Sequence, residues 1–182
     1  MNVHYTGIGS RETPAVILEI FEKVAILLAK KGYILRSGGA DGADSAFEKG
    51  CLEASGAKEI FLPWSKFNGR SEKNDGYYFT RDSHYDLYKK AKVLASSHHP
   101  VWESLKDGAK MLHTRNVHQV LGLDVETPSA FLICYSLVNV QTGEWRGGTG
   151  QALRVAHSLN IPHYNFADET SAASCMDMLR RL

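Results

Sequence analysis

The residues best placed to do chemistry lie in and beside three glycine-rich turns. The first is Gly7-Ile8-Gly9-Ser10-Arg11. The second is Ser37-Gly38-Gly39-Ala40-Asp41-Gly42-Ala43-Asp44. The third is Gly147-Gly148-Thr149-Gly150. Glycine lets the backbone bring its N–H groups close to a ligand, and a helix that opens on such a turn leaves its first N–H groups unpaired at the positive end of its dipole. An anion is the natural occupant, and a phosphate above all. Arg11 and Arg115-Asn116 add side chains suited to the same task, since a guanidinium pairs with phosphate or carboxylate. Taken singly, each turn is equally a plain strand-to-helix connection, with Asp41 or Asp44 capping the helix after the second.

The elements around these turns make the case stronger. Val3–Ile8, the run Gly32 to Arg36, Lys58–Leu62, Ser129–Tyr135 and Ile161–Phe166 read as strands. The fourth is apolar almost throughout, as in a central strand buried on both faces of a parallel sheet. Helical patterns intervene. Val16, Ile17, Ile20, Phe21, Val24, Leu27 and Leu28 recur near the 3.6 period, with Thr13 as cap and Pro14 at the first position. Further helices are expected over Ser45–Ala54, Arg81–Ser97, Trp102–Leu121, from Gln151 onward and over Ala172–Leu182. Leu112, Val120 and Leu121 are the expected core contacts of the Trp102–Leu121 helix. The pattern predicts an α/β fold over residues 1–182 as one domain. It is Rossmann-like and doubly wound, with a mainly parallel sheet of about five strands in the order 3-2-1-4-5. All three turns then fall at strand C-terminal ends, with the first and third flanking the point where strand order reverses. The site expected is Gly9, Ser10, Arg11, Ser37, Gly38, Gly39, Asp41, Asp44, Arg115, Asn116, Gly147, Gly148, Thr149 and Gly150, holding a phosphate-bearing ligand.

From Trp64 to Phe79 the periodicity fails. Trp64, Phe67, Tyr77, Tyr78 and Phe79 alternate with Asn68, Gly69, Arg70, Lys73 and Asn74. Such a loop suits either a mobile cover that stacks on a base or an irregular segment pinned by its aromatics. Adjacent His98 and His99 do not share a helix face and do not form a metal pair. Cys51, Cys134 and Cys175 are widely spaced and odd in number, as expected of reduced core thiols. No metal and no cofactor is expected.

A formal net charge of +1 argues against a strongly basic DNA-coating protein. The absence of G-x-x-x-x-G-K-[ST] argues against P-loop ATP hydrolysis, and no turn fits the dinucleotide fingerprint. With no signal peptide and no run long enough to span a bilayer, a cytoplasmic protein without a membrane partner is expected. A homo-oligomer is compatible with the sequence.

In their order, the first two turns and Arg115-Asn116 ahead of an apolar strand resemble the Rossmann-type core of DprA, the DNA-processing protein. The wider group is the SLOG superfamily, which includes the LOG phosphoribohydrolases; the nearest likeness is to short DprA-like proteins of bacteriophages. The resemblance spans about Val3 to Phe166. It implies a nucleotide or single-stranded DNA as partner, a link to DNA recombination through recombinase loading, and Ser10, Arg11, Ser37, Gly38, Gly39 and Arg115 as ligand-facing positions. Since the resemblance covers nearly the whole chain, the extra domains that flank this core in many DprA proteins are not expected. In LOG enzymes an Arg and a Glu of G-G-x-G-T-x-x-E cleave the base from a nucleoside monophosphate. Arg115 fits the first, and Leu153 is read at the Glu position, so that carboxylate is missing. A nucleoside-5′-monophosphate N-glycosidase would need Glu144, Asp41 or Asp44 instead, so the catalytic residues are left unassigned. A sensor or sequestering protein for a nucleotide-derived signal is the third reading.

Overall fold

Alternation along the strands divides the core in two. In the computed structural model, which describes residues 3–71 and 75–182, strand β5 (Leu132–Tyr135) sends Ile133 to one face of the sheet and Leu132 and Cys134 to the other. The period of two makes this obligatory, and both faces are apolar because both are covered. On the Ile133 side lie α1 (Ala15–Lys30), α2 (Ala43–Glu53) and α7 (Glu169–Arg180), around Phe21, Phe47, Tyr5 and Cys175. On the other side lie α4 (Tyr85–Ser97), α5 (Asp107–Leu121) and α6 (Gly147–Ser158), around Ile8, Val117, Val120 and Leu153. All three cysteines are free and buried.

Among the described residues the sheet has six strands, all paired in parallel. Besides β5 they are β1 (Val3–Gly9), β2 (Tyr33–Ser37), β3 (Lys58–Phe61), β4 (Tyr77–Tyr78) and β6 (His163–Asn165). The order is β4-β3-β2-β1-β5-β6. This corrects the expected five strands in the order 3-2-1-4-5. The added strand is β4, two residues long, which pairs with β3 at the sheet edge through Ile60 opposite Tyr77 and Phe61 opposite Tyr78. Two residues are too few for a periodic signal.

Local details also differ from expectation. Pro14 precedes α1 as its cap residue, and the Thr13 hydroxyl instead donates back to the Ser10 carbonyl. Val16 and Leu27 of α1 are exposed, while Ala25 is buried against α2. The helix expected over Arg81–Ser97 is broken at His84, leaving a short α3 (Thr80–Ser83) before α4. The helix expected from Trp102 begins only at Asp107, after a tight turn at Trp102–Ser104. No described helix is long and apolar enough to cross a membrane, and no described group of three or more His, Cys, Asp or Glu side chains could hold a metal.

Helix α5 is the anomaly of the fold. Its sequence is polar, yet His113, Thr114, Arg115, Asn116, His118 and Gln119 are all buried, because the sheet, α4 and α6 pack around it. Desolvating so many polar groups is costly unless they are paired or serve a site.

Candidate phosphate site

Strand order reverses at β1, which pairs with β2 on one side and β5 on the other. Two connections diverge there and leave a crevice beyond the strand C-termini. A cleft of about 480 Å³ occupies it, a size that suits a small ligand. One wall is Gly9, Ser10, Arg11, Glu12, Ala40 and Asp44. The other is Ser136, Leu137, Arg146, Gly147, Gly148 and Thr149. Leu112, Arg115, Asn116 and Gln119 of α5 close the cleft between them.

The first turn is fixed by its own backbone. Ser10 N–H donates to the Tyr135 carbonyl at 3.0 Å, and the Ser10 hydroxyl accepts from Glu12 N–H at 3.1 Å. The turn rests on the second, since Gly42 leaves no room for a side chain beside Ser10 and Arg11. Arg11 is exposed and lines the cleft.

The second turn differs most from its reading in the sequence. Neither Asp41 nor Asp44 caps α2, whose cap residue is Gly42 with φ +80°. Asp44 is 3% exposed and serves as an internal anion. Its carboxylate accepts from Gly9 N–H at 3.2 Å, from Ala40 N–H at 3.3 Å and from Arg115 Nη1 at 3.4 Å. Burial raises its pKa above the ordinary carboxylate value, opposed by Arg115 and the two N–H groups. Ser37 is fully buried and donates to the Gly7 carbonyl within the sheet. Gly38 is the passage for Arg115: a Cβ there would occupy the place of the Arg115 guanidinium. Gly39 takes φ +64° beneath Arg70. Ser37, Gly38, Gly39 and Asp41 therefore do not line the cleft; they shape what does.

The Trp64–Phe79 segment is fastened over this second turn. Arg70 pairs with buried Glu48 at 2.7 Å and bonds the Ser45 hydroxyl, Tyr77 donates to Glu48, and Asn68 donates to the Gly39 carbonyl. Phe67 is buried and lies under the Arg115 guanidinium, 5.8 Å from ring centre to carbon, with Trp64 edge-on behind it. None of its described aromatics lines the cleft. Lys73 and Asn74 lie outside the described residues.

Arg115 and Asn116, consecutive on α5, tie the turns together. Arg115 is 6% exposed; its Nη1 makes the long bond to Asp44, and its Nε has no hydrogen-bond partner among the described residues. Burial lowers its pKa, Asp44 opposes the shift and nearby Arg11 adds to it. Asn116 donates to the Gly148 carbonyl at 3.0 Å. At the third turn α6 opens after Arg146 with no side-chain cap, so the N–H groups of Gly147, Gly148 and Thr149 lack intrahelical acceptors, and all three residues line the cleft. Gly150 instead packs on the Trp145 carbonyl and does not line the cleft. Arg146 and Gln119 were not among the site residues expected from sequence. The available signals were Arg146's position directly before a glycine turn and Gln119's place one helical turn beyond Arg115. Counted from Gly147, the glutamate position of G-G-x-G-T-x-x-E falls on Arg154 rather than Leu153; Arg154 donates to the His98 and Trp145 carbonyls, and Leu153 is fully buried in the core.

No family model matches the sequence and no curated protein matches it. Solved structures do. The Moco carrier protein of Chlamydomonas rheinhardtii is similar over 98% of this chain and 84% of its own, with TM-score 0.54 and 16% identity. DNA processing protein A of Helicobacter pylori is similar over 90% of this chain, with TM-score 0.51 and 14% identity, and that of Streptococcus pneumoniae over 91%, with the same two values. The chain spans 64% and 50% of those two proteins. At these identities the likeness establishes the fold alone: the chain shares the fold of the Moco carrier protein and of the DNA processing protein A core.

Proposed function

We propose that the cleft binds the phosphate of a nucleotide or of single-stranded DNA. Arg115 carries the reading. A nine-tenths-buried guanidinium lines the cleft with an unpartnered Nε and only a long bond to its carboxylate, an arrangement that favours an incoming anion. Arg11, Arg146 and the uncapped start of α6 supply the rest of the positive wall. Two of the structural neighbours fit this reading: the Helicobacter pylori structure concerns single-stranded DNA binding, and the Chlamydomonas protein is a Moco carrier. The cleft's volume favours a ligand of mononucleotide size over a long strand.

An N-glycosidase is the second reading, and the observation behind it is Asp44, a buried carboxylate in the cleft with a raised pKa. Of the other substitutes for the missing glutamate, Glu144 and Asp41 do not line the cleft. A sensor or sequestering protein would use the same binding site without turnover. The experiment is calorimetry with nucleoside monophosphates, short single-stranded DNA and the molybdenum cofactor, followed by analysis of each mixture for free base. Saturable binding that Arg115→Ala removes supports the phosphate site. Absence of binding to every phosphate-bearing compound refutes it.

A further inference from the structure

Resting on the phosphate site just proposed, we infer that the cleft selects a phosphomonoester bearing hydroxyl groups, as in a ribonucleoside monophosphate, and discriminates against a second phosphate, with Asp44 as the selecting residue. The two walls are not equivalent. On the β5 side the α6 N-terminus has no capping side chain, and Arg146 stands beside it. On the β1 side the N–H groups of Gly9 and Ala40, one from each of the first two glycine turns, already donate to Asp44. The anion position of the second turn is thus filled by the chain itself. A diphosphate would have to place its second charge against this carboxylate, where like charges repel in a poorly solvated site.

Asp44 also has capacity to spare. A carboxylate offers about four lone-pair directions, and three donors reach this one, all at 3.2–3.4 Å and none of them short. Asp44 lines the cleft, so the remaining direction is open to a donor on the ligand. A sugar hydroxyl supplies such a donor; a phosphate oxygen does not. A site built to accept a hydroxyl disfavours analogues lacking it, because one direction of its buried acceptor then goes unfilled.

The test is calorimetry on the wild-type protein with two ligand pairs: ribonucleoside 5′-monophosphates against their 2′,3′-dideoxy counterparts, and orthophosphate against pyrophosphate. The expected result is at least tenfold tighter binding of the hydroxyl-bearing nucleotide, and pyrophosphate binding no tighter than orthophosphate. In Asp44→Asn the hydroxyl preference should shrink and pyrophosphate should gain. Equal affinity within the first pair, or tighter binding of pyrophosphate by the wild type, overturns the selection while leaving the phosphate site standing. Failure of orthophosphate and of every nucleotide to bind removes the phosphate site and the selection together. If Asp44→Asn does not fold, the wild-type pairs still decide.

Discussion

Arg115 of α5 reaches Asp44 of α2 at 3.4 Å, across 71 positions of sequence, through a gap that only a glycine at position 38 leaves open. Helix, glycine and carboxylate therefore form one unit. Removing any of them changes the electrostatics of the cleft, which makes each a separate lever on binding.

Gly38→Ala should displace Arg115 without touching its charge. The added Cβ coincides with the guanidinium, and the Gln119 amide and the Phe67 ring beside it limit where it can go. Overpacking of this kind costs about 1–3 kcal/mol of stability. Phosphate affinity should fall about tenfold or more in calorimetry, while Gly108→Ala, where no atom lies within 4 Å of the added Cβ, should leave affinity unchanged.

The arginines should separate by burial. Arg11→Ala removes an exposed side chain, so affinity should fall by roughly 1.5–3 kcal/mol, about ten- to a hundredfold, with thermal stability intact. Arg115→Ala should lose both, since it strands Asp44 as an unpaired buried carboxylate, a loss of about 3–5 kcal/mol. Arg115→Lys should restore neither fully, because an ammonium lacks the planar fork. Calorimetry and thermal melts on the same samples distinguish these outcomes.

Acid should weaken the fold through two buried histidines. Burial lowers the pKa of His113 and of His118 from 6.5 to about 4. Between those values the unfolded chain binds more protons than the folded one, so stability falls as pH drops from about 6.5 to about 4 and this contribution levels off below. Each histidine accounts for on the order of 3 kcal/mol at the acid end. Urea midpoints measured across that range should show the slope, and His113→Gln should remove its share.

The segment over the second turn should be released by a single change. Arg70→Ala leaves Glu48, 4% exposed, with Tyr77 as its remaining side-chain donor among the described residues. Limited proteolysis should then cut between Trp64 and Phe79 at protease levels that spare the wild type. Equal resistance in the variant would show that the aromatics alone hold the segment.

Cys134 should ignore thiol reagents until the protein unfolds. It is fully buried in β5, and burial pushes its thiol far above the ordinary range. Reaction with a chromogenic disulfide at the denatured rate in native buffer would contradict the placement of β5.

Much of this was legible in the sequence because it rests on local physics. The run Ala130 to Tyr135 is apolar at every position, so a strand covered on both faces was the consistent reading, and β5 is that strand. Glycine turns following strands announce themselves by composition, and all three do lead into helices α1, α2 and α6. What the sequence could not decide was which polar groups satisfy one another. Asp44 reads as a helix cap because capping is a short-range habit; the fold instead brings Gly9, Ala40 and Arg115 to it. Gly38 and Gly39 read as a ligand cradle because glycine is permissive; packing turned one into a channel for Arg115 and seated the other beneath Arg70. Strand β4 is held by partners rather than propensity, since two residues form a strand only where β3 already offers its edge. Turns and strands are specified by neighbours in the chain. The site depends on side chains that meet only after α5 is enclosed between α4, α6 and the sheet, and that meeting is the work of tertiary packing.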